Sequence, residues 1–453
     1  MGVHFSASTL AHNIFFLRAI CVLLLVVPFS CKEQNVDLNN SNLPIVIITT
    51  DGGKTVDGSQ RLPGTMKIIN RGAGKINFLT DANDAAFLQY DGRIGIKVRG
   101  FTSQYSPKKS YAIHTMRAND KKQKKVSLLG MSEQSDWILN NLTYDPSMMH
   151  DFLAYHFARS MGNYASKTSY CEVILNGNYK GLYLLEQKIS RESIGIAKLK
   201  PEDSVGVALT GGYFVEIDRS HSGESPAWTM NSYNSELQEF YYIKPKASEI
   251  SPVQADYIKS VFSNLERNAK NPNVLTGYPS IIDVPSFIDY MLVGEVAANC
   301  DVYTYSTKFH KDRGGKLRAG PVWDFNLGFG TDMYFDGAIP GRSAVDQWQF
   351  DNGDNEGPKF FKDLYNVPEF RGQMAKRLQA LSKPGQTFNV VLMHHLIDST
   401  ASTIAAATAR DCARWGIDLP YFKRKTFMEE VVYLKSFLSK RVAWMAKTLG
   451  VTS

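Results

Sequence analysis

The chain has 453 residues, and its 51 Lys and Arg against 44 Asp and Glu give a formal net charge of +7 at pH 7. This excess is small for the length, so the composition does not require a nucleic acid as a partner. The length suffices for one large domain or for two lobes that share a cleft. Cys171, Cys300 and Cys412 are widely spaced and form no CxxC pair, which argues against a disulfide scaffold and against a zinc site.

Residues 1–31 have the features of an export signal. Arg18 precedes an apolar run, Ala19–Val27, that is too short to cross a bilayer as a helix. The ending Pro-Phe-Ser-Cys is similar to a bacterial lipoprotein cleavage site, although Pro28 stands where Leu is usual. We predict that Cys31 carries a lipid that anchors the exported protein to a membrane of the bacterial cell envelope. An ordinary signal peptide, with Cys31 as a bystander, is the alternative.

Residues 32–42, KEQNVDLNNSN, are polar and lack periodicity, so we predict a flexible tether there. The chain that follows is rich in short β-type runs separated by Gly, Asn and Asp. These runs predict strands at Pro44–Thr49, Met66–Asn70, Ala86–Tyr90 and Ile94–Val98.

The next segment, RGFTS at Arg99–Ser103, is a glycine-containing turn rich in hydroxyl groups. Such a turn can aim backbone N–H groups and side-chain donors at phosphate oxygens, and a lysine on the next strand can reach the same anion. We predict an anion site formed by one glycine and three polar side chains: Arg99, Gly100, Thr102 and Ser103.

Two lysines begin the strand after this turn. Strand alternation puts Lys109 on one face with Tyr111 and Ile113, and Lys108 on the other face with Ser110. The lysine with apolar neighbours is the one expected to point inward, so Lys109 is the candidate ligand of the anion. Alternatively, paired lysines on an edge strand protect it against aggregation.

A helix is predicted from Asp145, as its N-cap, to Met161, because Pro146 suits the first helical position and apolar residues follow at helical spacing. A β-hairpin follows, with strands Tyr170–Leu175 and Tyr179–Leu185. Asn-Gly between the two strands is the residue pair typical of a type I′ turn.

In YFVEID, Tyr213–Asp218, alternation places Phe214, Glu216 and Asp218 on one face. Acidic residues that face a cleft would be functional, but an exposed sheet face explains them equally well. Beyond this strand the pattern becomes mainly helical. Helices are predicted at Ser286–Asn299, Pro368–Leu381, Val390–Ala407 and Tyr421–Leu449.

Two aspartates flank a predicted hairpin in the stretch that follows the first of these helices. The runs Tyr303–Lys311 and Lys316–Val322 enclose a DRGG turn. Folding the chain there brings the position opposite Asp324 within about two residues of Asp301. Neighbouring carboxylates share a proton or hold a cation, and Mg²⁺ prefers oxygen ligands while leaving positions for phosphate oxygens. The simpler alternative is that each aspartate only caps or begins a turn.

Five segments in a fixed order resemble one protein family. They are VRGFTSQYSPKKSY at Val98–Tyr111, DWILNNLTYDPSMMHD at Asp136–Asp151, VILNGNYKGLYLLEQ at Val173–Gln187, GGYFVEIDR at Gly211–Arg219 and GPVWDFNLGFG at Gly320–Gly330. The last resembles the PWDFD-type signature of the CotH kinase family of atypical protein kinases. The resemblance extends from about Leu43 to the C-terminal helix.

This resemblance implies an α+β, bilobal fold like that of protein kinases. A β-rich N-terminal lobe would cover residues 43–190, and a mostly helical C-terminal lobe with the catalytic hairpin would cover residues 191–453. It implies transfer of the ATP γ-phosphoryl group to Ser or Thr of a coat or envelope protein, with ATP and Mg²⁺ or Mn²⁺ as cofactors.

The resemblance also implies roles for single residues. Asp301 would accept the proton of the acceptor hydroxyl, and Asp324 with Asn326 would hold the metal ion. Lys109 would be the nucleotide-binding lysine, and Asp151 is the candidate acid to pair with it. Glu186 stands where a kinase hinge would lie, so it either binds the base or ribose or simply ends a strand.

Ser306 departs from the family pattern, because the family usually has Asn five residues after the catalytic Asp to bind a second metal ion. A hydroxyl is a weaker and shorter ligand than an amide carbonyl, so Ser306 as a metal ligand puts the affinity and the rate in doubt. The alternative function is a catalytically weak surface or coat protein that serves as a binding scaffold. A carbohydrate-binding surface lipoprotein, suggested only by the aromatic content, is a third reading.

Overall fold

The computed structural model describes residues 36–58, 60–101, 103–119, 122–219, 223–331, 344–353, 357–416 and 426–451. The predicted export signal and lipid anchor, Thr102, and the start of the predicted last helix lie outside these ranges. Both strands and helices occur in the described residues, which confirms the predicted α+β class. No helix within these ranges is long and apolar enough to span a membrane.

The strands of the described residues form two sheets and one short pair. In chain order they are β1 Asn40–Ser41, β2 Ile45–Thr50, β3 Leu62–Ile69, β4 Asn77–Phe78, β5 Leu88–Arg99, β6 Ser110–Thr115, β7 Asp136–Asn140, β8 Thr168–Leu175, β9 Asn178–Gln187, β10 Tyr213–Ile217, β11 Trp228–Asn231, β12 Leu237–Lys244, β13 Thr307–Lys311 and β14 Arg318–Ala319.

Seven of these strands close a barrel in the order β2-β3-β5-β6-β7-β9-β8. Neighbours pair antiparallel except at the closure, where β2 and β8 run parallel and Ile45 lies beside Glu172. Alternate apolar residues fill the interior, among them Val46, Ile68 and Ile96. The sequence predicted several of these strands, but Ala86–Tyr90 and Ile94–Val98, predicted as two strands, belong to the single strand β5 except for the first two residues, and β7 was not predicted. The barrel was not predicted either, because its closure joins strands that are far apart along the chain.

Five other strands form a second, antiparallel sheet in the order β11-β12-β10-β13-β14, so the region predicted to be mostly helical also carries a sheet. Helices pack against both the barrel and this second sheet. In the described ranges they are α1 His150–Ser160, α2 Gly206–Leu209, α3 Pro252–Asn268, α4 Tyr278–Ile281, α5 Val284–Ala297, α6 Lys359–Asn366, α7 Pro368–Ser382, α8 Val390–Trp415 and α9 Phe427–Thr448. Helix α5 is buried at every position from Ser286 to Ala297, and its two acidic residues are paired, Asp289 with Arg377 and Glu295 with Arg441.

Both predicted hairpins are confirmed. Strands β8 and β9 pair with Leu175 beside Asn178, and the positive φ angles of Asn176 (50°) and Gly177 (76°) are those of a type I′ turn. Strands β13 and β14 pair with Phe309 beside Ala319. This register brings the two chain segments that carry the paired aspartates to one end of the hairpin.

The first long helix begins later than predicted. The Asp145 carboxylate accepts hydrogen bonds from the N–H groups of Ser147 (2.9 Å) and His150 (2.6 Å), and Met148 has a positive φ of 59°. Residues 145–149 therefore form a turn, and α1 begins at His150. A short aspartate side chain that binds nearby backbone N–H groups stabilises such a turn in competition with a helix.

The predicted tether is wrong for its last residues. Leu38 is 4% exposed and packs with Ile45 and Ile69, and β1 pairs with β4 through Asn40 and Phe78. The overall polarity of this stretch concealed two apolar side chains, Val36 and Leu38, that pack against the barrel.

Candidate functional site

A cleft of about 940 Å³ separates the outer face of the barrel from the second sheet. Its barrel wall includes Ala112 and Ile138, which alternate with the residues of the barrel interior. The facing wall includes Phe214 and Glu216 of β10 and Asp218, which directly follows this strand. The acidic face of this strand, which the sequence could assign either to a cleft or to an exposed surface, therefore lines a cleft. The cleft lies at the upper end of the size range of small-molecule sites.

The cleft collects most of the predicted site residues. Its lining includes Arg99, Gly100, Ser103, Asp151, Asp301, Ser306, Asp324 and Asn326. Lys109 and Glu186 are not part of the lining. Thr102 lies outside the described residues.

Helix α1 fixes the backbone around Asp324. The Phe325 N–H donates to Asp151 Oδ1 at 2.7 Å, and the Asp324 N–H donates to the Tyr155 hydroxyl at 3.3 Å. The Tyr155 ring also stacks on Trp323, with ring centroids 5.8 Å apart. Asp151 and Tyr155 lie one helical turn apart, so a single face of α1 positions Trp323, Asp324 and Phe325, of which the first two line the cleft.

Two further contacts hold the same segment. The Asn326 carbonyl lies 2.9 Å from His150 Nδ1, and the Asn299 amide donates to the Asp324 carbonyl at 3.2 Å. Asp324 itself has a φ of 62°, in the left-handed region. A non-glycine residue adopts this conformation where its surroundings impose it, which is a common feature of functional sites.

Three carboxyl groups lie close together here: Asp151 and Asp324 line the cleft, and the buried Glu186 lies beside Asp151 without lining it. The Asn140 amide joins two of them, because it donates to Asp151 Oδ2 at 2.8 Å and to Glu186 Oε1 at 2.9 Å. Glu186 is completely buried, and its Oε2 has no hydrogen-bond partner among the described residues. A buried carboxyl oxygen without a donor is costly, so a proton or a bound cation is expected there.

The pKa values of these groups are shifted in the same direction. Burial raises the pKa of Asp151 to about 7, and the charge of Asp324 contributes. Burial also raises the pKa of Glu186, together with the charge of Asp151. For Asp324, burial raises the pKa while the positive charge of Arg99 opposes the rise. The cluster is therefore short of positive charge, which a metal ion would supply.

Asp301 and Ser306 lie in the loop between α5 and β13. The Asp301 carbonyl accepts hydrogen bonds from the N–H groups of Thr304 (3.1 Å) and Tyr305 (2.8 Å), which closes a tight turn. Ser306 has a positive φ of 53°, and it lines the cleft together with Asp301. The hairpin thus brings Asp301 and Asp324 to the same cleft, as predicted.

The predicted anion-binding turn requires its glycine. Gly100 has a φ of 102°, and a Cβ atom there would lie 1.9 Å from the Ser103 hydroxyl oxygen. The turn is tied to the rest of the cleft by two cation–π contacts. The Arg99 guanidinium lies 5.7 Å from the centroid of Trp323, and Arg219 lies 5.2 Å from Phe101.

The structure buries the other lysine than the one that strand alternation predicted to point inward. Lys108 is the buried one, at 3% exposure, and its ammonium donates to Asp411 Oδ1 at 2.6 Å. Lys109 is half-buried and donates to the Gln104 carbonyl at 2.7 Å. The predicted ion pair between Lys109 and Asp151 is therefore absent from the described contacts. A distant helix, α8, supplies the acid that draws Lys108 inward, and no local pattern indicated it.

Several cleft residues escaped the sequence analysis. Asn140 stands in the quoted DWILNN segment, and alternation along β7 would have placed it on one face with Ile138. Lys308 forms an ion pair with Glu216 across β10 and β13, directly opposite in the register. That pairing became recognisable only when the two strands were known to be neighbours.

The donor set suits Mg²⁺ only in part. Within the described ranges, no group of three or more His, Cys, Asp or Glu side chains is close enough to hold a metal ion. Mg²⁺ normally takes one or two protein carboxylates and completes its shell with water and phosphate oxygens. Asp324 with the Asn326 amide and the Ser306 hydroxyl fits that pattern, because all three line one cleft and Asp324 lies in a cluster short of positive charge.

Comparison with protein families gives one finding that covers this whole site. The sequence matches the model of a family described as CotH kinase protein over residues 96–445. The matched range contains all the predicted site residues. No curated protein matches the chain.

Proposed function

This chain belongs to the CotH kinase family, since the match covers most of its length, and we propose that it is an atypical protein kinase that transfers the γ-phosphoryl group of ATP to Ser or Thr of a protein. The observation that carries the proposal is the single cleft that contains both Asp301 and Asp324. The same cleft contains the glycine turn at Arg99, which suits phosphate oxygens.

The residues of the cleft divide the work as follows. Asp301 accepts the proton of the acceptor hydroxyl, and Asp324 with Asn326 holds Mg²⁺ or Mn²⁺. When bound, the metal ion neutralises negative charge on the nucleotide phosphates. Arg99 and the N–H groups near Gly100 bind phosphate oxygens.

The nucleotide base fits the apolar part of the cleft. Ala112 and Ile138 on the barrel wall face Phe214 and Ile243 on the second sheet, and Ile189 follows the last barrel strand. Apolar walls on both sides suit a planar aromatic base. On this reading the barrel with α1 acts as the N-terminal lobe of a bilobal kinase, and the second sheet with the remaining helices acts as the C-terminal lobe.

Export and partner follow from the sequence alone. We propose that residues 1–31 direct the chain out of a bacterial cell, that Cys31 is lipidated, and that the substrate is a coat or envelope protein. Mass spectrometry of the mature N-terminus tests this directly, because lipidation would leave a diacylglycerol-modified cysteine as the first residue.

Ser306 supports a second candidate, a binding scaffold with weak or absent catalysis. Its hydroxyl stands in the cleft where kinases of this family usually place an amide, so the site for a second metal ion lacks its stronger ligand. A scaffold of this kind would keep the cleft and bind nucleotide without transferring phosphate.

The test uses ATP labelled on the γ-phosphate, with Mg²⁺ or Mn²⁺ and a serine-rich protein substrate. Label should enter the substrate or the protein itself, and Asp301→Ala and Asp324→Ala should each abolish it. Nucleotide binding without any incorporation by the parent protein would favour the scaffold instead.

A further inference from the structure

The cleft changes its charge along its length. Its carboxylates gather near Arg99, whose guanidinium contacts Trp323 beside Asp324. Lys97 lies on the same face of β5, two residues away, which is about 6–7 Å along the strand. The cluster of basic side chains that begins there also includes Arg61, His114 and Lys188, and all four line the cleft.

Two of these side chains are held in place by the barrel. Arg61 Nη1 donates to the carbonyls of Gly95 (2.9 Å) and Ala112 (2.8 Å), so its guanidinium lies across β5 and β6. The His114 ring lies next to the carboxylate of Asp136, with Nδ1 3.3 Å from Oδ1. Contacts with the barrel therefore fix the positions of the Arg61 and His114 side chains.

The other two side chains have no such partner. The ammonium groups of Lys97 and Lys188 make no hydrogen bond or ion pair with any residue in the described ranges, although both line the cleft. Asp136 is the acid that interacts with Arg61, His114 and Lys188. Arg61, Lys97 and Lys188 thus outnumber Asp136, the acid named beside this cluster among the described residues, and an anion in the cleft would reduce the mutual repulsion of the basic groups.

Titration behaviour agrees with this crowding. Partial burial in the cleft lowers the pKa of Lys188, and the charges of Arg99, Lys244 and Arg61 lower it further against the opposing effect of Asp136. Burial likewise lowers the pKa of His114, with Arg61, Lys188 and Lys97 contributing.

We propose that Arg61, Lys97, His114 and Lys188 form a basic subsite that binds a phosphate group, separate from the carboxylates that hold the metal ion. A phosphate group suits it because donors on different strands can reach several oxygens of one anion. The volume of the cleft, about 940 Å³, leaves room for this group in addition to a base on the apolar walls. The inference rests on the contacts of the described residues and does not depend on phosphoryl transfer.

Two sources can supply the phosphate. A second phosphorylated small molecule can bind beside the nucleotide, or a nucleotide can bind with its own phosphates directed to the basic subsite. The chemistry that Lys97 and Lys188 recognise is the same in both cases.

The test measures binding of inorganic tripolyphosphate to the full chain by calorimetry in the presence of EDTA, so that no metal-dependent site contributes. The parent protein should bind, and the double variant Lys97→Gln/Lys188→Gln should bind at least roughly tenfold more weakly. The matched control is Lys200→Gln, because Lys200 is exposed, lies outside the cleft and has a counter-charge 3.8 Å away at Glu202. Its affinity should equal that of the parent.

We expect the double variant Lys97→Gln/Lys188→Gln to fold like the parent protein. Neither ammonium group makes a hydrogen bond within the described ranges, and substitution by Gln leaves the backbone bonds in place, so the thermal midpoint of the double variant should equal or exceed that of the parent. A folded double variant that binds tripolyphosphate as tightly as the parent overturns the proposal, as does a parent that does not bind it.

Repeating the titration with a saturating non-hydrolysable ATP analogue and Mg²⁺ assigns the source. Unchanged tripolyphosphate binding supports a subsite for a second ligand, and competition supports a nucleotide whose phosphates reach the subsite. Failure of γ-phosphoryl transfer in the kinase assay would leave these binding results unaffected, so the two proposals can fail separately.

Discussion

Two completely buried glutamates show how the helical core and the cleft differ. In the core, Glu295 accepts hydrogen bonds from Arg441 Nη2 (2.9 Å), the Gln349 N–H (2.9 Å) and the Tyr303 hydroxyl (2.9 Å). In the cleft region, Glu186 accepts one hydrogen bond from Asn140, and its second oxygen has no partner among the described residues. Both carboxylate oxygens of Glu295 therefore have hydrogen-bond donors, whereas only one oxygen of Glu186 has one within the described ranges.

The charges around the two glutamates differ in the same way. Burial raises the pKa of Glu295, but Arg441, the Gln349 N–H and Tyr303 all counteract it. Burial raises the pKa of Glu186 as well, and there the charge of Asp151 adds to the rise. The buried charge of Glu295 is therefore balanced by donors and a cation of the protein itself. The carboxylates at the cleft lack such balance, and we infer that a bound ligand provides it.

The largest effect should come from breaking the compensated pair. Glu295→Gln leaves the Arg441 guanidinium buried, at 0% exposure, without its counter-charge. Removing one partner of a buried ion pair typically costs about 3–5 kcal/mol. We expect a clear drop in the midpoint of thermal unfolding at pH 7.

The double variant Glu295→Gln/Arg441→Met serves as the control. It removes both charges, so part of the lost stability should return even though the four backbone carbonyls bound by Arg441 lose a donor. A single variant as stable as the parent would show that Glu295 is not the compensated group described here.

Replacing Glu186 by Gln should raise the stability of the folded protein, whereas the same replacement at Glu295 should lower it. Glu186→Gln keeps the oxygen that binds Asn140 and removes the ionisable oxygen that has no donor among the described residues, so we expect a gain of roughly 1–3 kcal/mol at pH 8, the usual cost of an unsatisfied buried group. The measurement is thermal unfolding of the protein without ligand.

The pH dependence follows from the raised pKa of Glu186. Below the ordinary pKa of glutamic acid both native and unfolded forms are protonated, and the native state is not penalised. As the pH rises through the pKa of the folded form, the stability of the parent falls, so the advantage of Glu186→Gln should grow between pH 4.5 and pH 8. An advantage that is largest at low pH would contradict this account.

A smaller effect is expected at Ser306. Its φ of 53° lies in the left-handed region, which Asn tolerates better than most residues, so Ser306→Asn should change stability by less than about 0.5 kcal/mol. The amide would supply a stronger metal ligand, and the rate of phosphoryl transfer should rise severalfold. Ser306→Ala is the matched control, since it removes the hydroxyl and adds no ligand. Equal rates in both variants would exclude Ser306 from the metal site.

Local patterns predicted the parts of the fold that depend on neighbouring residues. The Asn176-Gly177 turn and the β13–β14 hairpin were predicted because the residue types that favour a turn, and the alternation of the flanking strands, can be recognised in a few consecutive residues. The start of α1 was misplaced because Asp145 can stabilise either a helix cap or a turn. The closure of the barrel escaped prediction because β2 and β8 meet only in three dimensions.

The same distinction applies to the cleft. Asp301 and Asp324 could be assigned from the hairpin and the resemblance, and both line it. The inward position of Lys108 could not, because it depends on Asp411, far along the chain. The basic residues Arg61 and Lys97 also went unnoticed, since nothing in their local sequence places them on the wall of a cleft.

The most direct test of the comparison between core and cleft is a thermal-shift experiment on Asp324→Asn. Asp324 has a φ of 62°, which Asn adopts readily, so the substitution removes the charge without altering the backbone. The midpoint should be measured with and without Mg²⁺ and a non-hydrolysable ATP analogue. We predict that the variant is at least as stable as the parent without ligand and that it loses the upward shift the parent shows with ligand. A variant that is less stable without ligand, or that shifts as much as the parent with ligand, would contradict the claim that the cleft carboxylates await a metal-bound nucleotide.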